Sequence, residues 1–235
     1  MKPGPALEPI DDMVLIPAGS FFFGKDEIPQ FLPDFWIDRH EVTVSEYYQC
    51  VRAGVCTPPE PVLIGLWPLC SWNYPFFFGS GEPRSGRERR PVNCVTWDQA
   101  SIYCQWAGKR LPTEREWEKA ARGDDRRMYP WGDAPPSCDR AVMRKNNVSG
   151  CGAKTTWDVC SKPDGNSPHG LCDMSGNVWE WVADWAEIPG RSEAIKIIKG
   201  GTYRCDQDSK TLKLTYQGGG RNEFAVDVVG FRCAK

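Results

Sequence analysis

Apolar positions in this chain come in short bursts broken by glycine, proline and charge. Met13 to Gly24 (MVLIPAGSFFFG) sets two apolar runs either side of Pro17 and Gly19, which predicts two short strands joined by a turn. Phe35 to Asp38 reads as another strand. The period then lengthens, and Tyr47, Tyr48 and Val51 fit a helix that Thr43 or Ser45 caps and Gly54 ends. A second helix opens at Trp97-Asp98, carries Ala100, Tyr103, Cys104 and Ala107 at helical spacing, and closes at Gly108. Thr113 and Glu116 form a capping box for a third, whose buried face is Trp117, Ala120 and Ala121 and whose end is Gly123. The chain is then coil-rich through Asp164. Its last part, IKIIKGGTYRC and VVGFRCA, reads as two strands around a polar loop. Residues 57 to 93 form a long irregular stretch holding Trp67, Trp72, Tyr74, Phe76, Phe77 and Phe78, read as an aromatic cluster under a loop rather than a recognition surface.

Composition explains this brevity. The 235 residues include 23 glycines and 20 prolines, so turns are frequent and long elements scarce. Eleven tryptophans must anchor a loop-rich core or line a binding surface. Hydrophobic residues at 40% and charged residues at 26% describe a globular chain. A net charge of −2 gives no field toward nucleic acid, and the basic run Arg84, Arg87, Arg89, Arg90 reads as a solvated loop. No apolar stretch of about 18 residues occurs, so no membrane span is expected. Eleven cysteines without a C-x-x-C pair point to disulfides in an oxidising compartment, hence to an exported chain whose leader has been removed. An odd count leaves at least one over. Cys50 and Cys56 flank a glycine-containing turn and could close a short loop. Connectivity among Cys70, Cys94, Cys138, Cys151, Cys160 and Cys172 stays open; three pairs there would leave Cys205 free.

MVLIPAGSFFFG, EVTVSEYY, PVNCVTWDQASIYCQWAGKRLPTEREWEKAARG, YPWG, SPHGLCDMSGNVWEW, KGGTY and GFRCA occur in the order seen in the formylglycine-generating enzyme (sulfatase-modifying factor) family, which this chain resembles from about Met13 to Ala234. The resemblance implies an α+β fold: one compact, loop-rich domain over 13–235, related to the C-type lectin fold, after an N-terminal extension over 1–12. It also implies a disulfide between Cys104 and Cys233. Family members include copper-dependent oxidases that convert a sulfatase cysteine to formylglycine, and others that only bind.

Fold does not settle function, so the site is read residue by residue. In the oxidases two cysteines hold Cu(I), which suits soft thiolates. Cys205 stands where the first belongs. Lys210 or Lys213, depending on the direction of counting, stands where the second belongs. The expectation is a non-catalytic or diverged member that binds a protein or peptide in a groove at Trp179, Thr202, Tyr203, Cys205 and Arg221. The alternative is an oxidase, with catalytic Cys205, that recruits Cys172 as its second thiolate for copper. The resemblance further implies calcium at Asp173, Gly176, Val178 and Glu180, whose hard oxygens suit that ion. With only His40 and His169 present, a three-histidine iron centre is excluded.

Overall fold

The computed structural model describes residues 12–59, 70–72, 82–187 and 194–235. Strands β1 (Met13–Ile16), β2 (Gly19–Phe23), β3 (Ile28–Leu32) and β4 (Phe35–Asp38) lead into helices α1 (Val44–Arg52), α2 (Trp97–Trp106) and α3 (Glu114–Arg122). Strands β5 (Trp179–Ala186), β6 (Ile195–Lys199), β7 (Gly218–Gly220) and β8 (Val229–Phe231) complete the order. The fold is mixed and loop-rich.

The two strands expected in residues 13 to 24 are present, but they do not pair with each other. β1 pairs antiparallel with β4, matching Leu15 to Trp36, and β2 pairs antiparallel with β3, matching Phe21 to Gln30. The chain after β2 reverses at residues 24–27, where Gly24 lies at φ +71° and Glu27 at φ +51°, so the adjacent strand takes the pairing. The larger sheet has the order β7-β6-β5-β8. It is antiparallel except where β8 runs parallel to β5, aligning Glu180 with Gly230.

Each helix begins on a reciprocal capping box. Thr43 is the N-cap of α1, with Glu46 returning to its N–H at 2.7 Å, and Thr96 and Gln99 do the same for α2. In α3 the Glu116 carboxylate accepts from the Thr113 N–H at 2.8 Å and also takes both Nη groups of Arg110. One apolar cluster gathers Tyr47, Trp72, Tyr103, Trp181 and Phe231, with Tyr47 stacked on Tyr103. A second sets Trp117 of α3 against Val182 and Ile197 of the large sheet. Trp72 is buried, as the cluster reading expects, whereas Trp67, Tyr74, Phe76, Phe77 and Phe78 lie outside the described residues. The arginines after them serve the fold: Arg84 donates to the Trp72 carbonyl, Arg87 to that of Cys70 and Arg90 to the Thr155 hydroxyl.

Five disulfides join Cys50–Cys56, Cys70–Cys94, Cys104–Cys233, Cys138–Cys151 and Cys160–Cys172. The pair implied by the resemblance and the pair around the α1 turn are both formed. The other six cysteines pair among themselves, so Cys205 is free.

Candidate functional site

Strand β6 is followed by Gly200 and Gly201, at φ +97° and +76°. A Cβ on Gly201 would stand 2.9 Å from the Thr211 carbonyl, so only glycine lets the two segments lie this close. The turn that follows presents Cys205. Its sulfur accepts from the Thr202 N–H at 3.3 Å and from the Thr211 hydroxyl at 2.9 Å. Thr211 belongs to a 3-10 turn, Lys210–Leu212, fixed from below by the Ser175 hydroxyl, which donates to the Leu212 carbonyl at 2.8 Å.

The expected groove residues separate into two kinds. Thr202 and Tyr203 are buried and support the turn. The Tyr203 hydroxyl and the Arg204 guanidinium both donate to the Asp227 carboxylate, itself buried. Burial and that carboxylate hold the Tyr203 phenol well above its ordinary range. Trp179, by contrast, is half-buried, and its ring lies 5.9 Å from that of Tyr216, over which the Lys210 ammonium sits at 5.7 Å. Arg221 is exposed, at the end of β7. Sequence reasoning missed Thr211 and Tyr216, since a threonine and a tyrosine in a polar loop carry no motif of their own.

Copper does not fit this arrangement. Ten of the eleven cysteines are in disulfides, and the partner of the Cys205 sulfur is a hydroxyl. Contrary to the alternative expectation, Cys172 cannot serve as a second thiolate, because it is bonded to Cys160.

The two carboxylates expected to hold calcium, Asp173 and Glu180, already accept from protein donors. Glu180 is buried, and both its oxygens receive Arg232, from Nε and Nη2, at 2.7 Å. Its Oε2 takes the Trp117 indole N–H as well, at 2.8 Å. Asp173 Oδ2 accepts from the Cys160 N–H at 2.7 Å, and the Val178 N–H donates to Glu41. Gly176, at φ +98°, makes the turn between them and donates to the Gly200 carbonyl. The positive charge at this spot is therefore a guanidinium. Burial raises Asp173 to about 6, against the Cys160 amide and Arg232. Burial, then the charges of Asp173 and Glu180, holds Glu41 well above the usual carboxylate range. Among the described residues no three His, Cys, Asp or Glu side chains converge as metal ligands. As placed, the Glu180 carboxylate is already filled by protein donors and is not free to bind a calcium ion.

Arg232 is the centre of that cluster. Besides Glu180 it donates to the carbonyls of Asp38, Arg39 and Cys172, at 3.2, 3.1 and 2.9 Å, so all five guanidinium N–H groups are used. It ties β8, β5 and the segment after β4 into the platform on which the Gly200–Cys205 turn rests.

Comparison with known proteins agrees with this architecture. Residues 1–235 match the family described as the sulfatase-modifying factor enzyme 1-like domain. The formylglycine-generating enzyme of Streptomyces coelicolor is 30% identical, over 99% of this chain and 92% of its own. The mouse protein named inactive C-alpha-formylglycine-generating enzyme 2 is 34% identical, over 94% of this chain and 85% of its own. The structure of PvdO from Pseudomonas aeruginosa superposes with a TM-score of 0.71 at 24% identity, covering 100% of this chain and 98% of that one, and shows the same fold. The chain thus belongs to the sulfatase-modifying factor family, the family of the formylglycine-generating enzymes.

Proposed function

We propose that this chain is a non-catalytic member of its family that binds a protein or extended peptide beside Trp179 and Tyr216. The observation that carries the reading is the surroundings of Cys205. It is the one cysteine outside a disulfide, and a threonine hydroxyl meets its sulfur where a copper site would need a second thiolate. The likeness to a mouse relative named inactive supports it. So does the half-buried Trp179–Tyr216 pair, since tryptophan and tyrosine are enriched among the few residues that dominate interface energy. Five disulfides support an exported location, where a binding partner would be extracellular or periplasmic.

A peptide-display selection against the immobilised protein tests this. Enriched peptides should lose about tenfold or more in affinity when Trp179 is replaced by Ala, as truncating an interface anchor does. A selection that enriches nothing, together with turnover of a cysteine peptide to an aldehyde, would overturn the reading.

A further inference from the structure

Beside the Trp179–Tyr216 pair lies a cleft of about 450 Å³ between the β2–β3 turn and the segment after Cys205. One wall is the hairpin tip, with Phe23, Lys25 and Asp26. The other carries Lys210, Lys213 and Tyr216. Lys25 and Lys210 are exposed and Lys213 is half-buried. Among the described residues none of these three ammonium groups lies in an ion pair. Two carboxylates share the cleft. Glu114 is already held by the buried Lys199 at 3.1 Å, which leaves Asp26 as the countercharge to three lysines. The hairpin is not loose, because the Gly24 N–H donates to the buried Glu118 at 2.7 Å. The cleft thus joins a cationic rim to aromatic surface from Phe23 and Tyr216. Its two lysines from the second wall stand where a second thiolate would be sought.

We infer that this cleft takes an acidic peptide segment, its carboxylates on Lys25, Lys210 and Lys213 and an apolar or aromatic side chain against Phe23 and Tyr216. The inference rests on the binding reading above and names the chemistry of the partner. A free anion would use the lysines alone. The aromatic surface of Phe23 and Tyr216 beside the lysines, in a cleft of about 450 Å³, favours a peptide.

The test is fluorescence anisotropy with a fluorescein-labelled Glu-Glu-Tyr-Glu-Glu peptide, its Gln-Gln-Tyr-Gln-Gln counterpart, and inorganic phosphate as competitor. The acidic peptide should bind about tenfold more tightly than the neutral one, and the advantage should shrink as salt shortens the Debye length. Lys210→Glu with Lys213→Glu should remove the preference, Lys25→Glu on the opposite wall should reduce it, and Lys145→Glu, an exposed lysine that does not line the cleft, should leave it unchanged. Melting curves identify any variant that fails to fold, and the two walls give independent variants. Equal binding of both peptides, binding that survives charge reversal on both walls, or complete displacement by millimolar phosphate would overturn the inference. A display-selected neutral peptide that depends on Trp179 but not on the lysines would remove this inference and leave the broader reading standing. Aldehyde formation would remove the broader reading itself.

Discussion

The Thr211 hydroxyl donates to the Cys205 sulfur at 2.9 Å. The Ser175 bond to Leu212 fixes the turn that brings it there, and Gly201 leaves the room. A hydroxyl donor holds one sulfur in place but gives no second soft ligand, and the family's oxidation chemistry needs two.

The first prediction is a count. Alkylation of the denatured protein without reductant should modify one thiol per chain, and Cys205→Ser should modify none. Intact mass reads the result. Two or more modified thiols would show that the disulfide set is incomplete.

Arg232 should be the most sensitive position away from the groove. Its guanidinium is buried and uses every donor, so Arg232→Lys cannot satisfy the same partners. Breaking a buried pair from one side costs about 3–5 kcal/mol. Chemical denaturation should show a loss of that order for Arg232→Met, whereas a loss below about 1 kcal/mol would mean the cluster relaxes onto water.

Lys196 gives a pH signature. It is 2% exposed, with its ammonium 3.5 Å from the ring centre of Trp97 and 3.7 Å from that of Trp185. Burial lowers it from 10.5 to about 8, against the pull of Asp98 and Asp184. Between those two values the unfolded chain holds more protons than the folded one, so this group makes stability rise with pH there. In a Cys205→Ser background, which removes thiolate-driven exchange, the melting temperature of the parent minus that of Lys196→Met should increase from pH 8 to 10. A difference that stays flat would contradict the burial account.

Calcium should not matter to stability. With Arg232 on both oxygens of Glu180, the melting temperature should be the same in millimolar calcium and in excess EGTA. A drop on chelation would show that the carboxylates also hold an ion, because a ligand that binds only the native state raises stability by mass action.

Local signals in the sequence were the readable part. The Thr113–Glu116 box is formed as its spacing predicts, and Gly123 ends α3 at φ +73°. The equivalent box of Thr96 and Gln99 is equally written in the chain, and α2 opens at Trp97 as its sequence predicts. Pairing was not readable, because β2 pairs across the turn that follows it whereas β1 pairs with β4, beyond the intervening β2–β3 hairpin. Strand β7 is three glycines, with no β-propensity to detect. It lies close over its neighbour: a Cβ on Gly219 would stand 2.2 Å from the Ile195 side chain, which would have to move to admit it.

The site was legible in part for the same reason. Cys205 and Trp179 could be placed from the order of motifs. Charged residues read as surface, so nothing in the pattern marked Glu41, Lys196, Lys199 and Arg232 as buried. Their burial depends on partners up to 194 positions away in the chain, as where Arg232 donates to the Asp38 carbonyl.

The most direct test of a non-catalytic role is an oxidation assay. The purified protein, supplied with Cu(I) and oxygen, is incubated with a cysteine-containing peptide, and mass spectrometry monitors conversion of the thiol to an aldehyde. With one free thiol beside a threonine hydroxyl, the reaction should not exceed the protein-free control. Aldehyde formation above that control, and its loss in Cys205→Ser, would contradict the account.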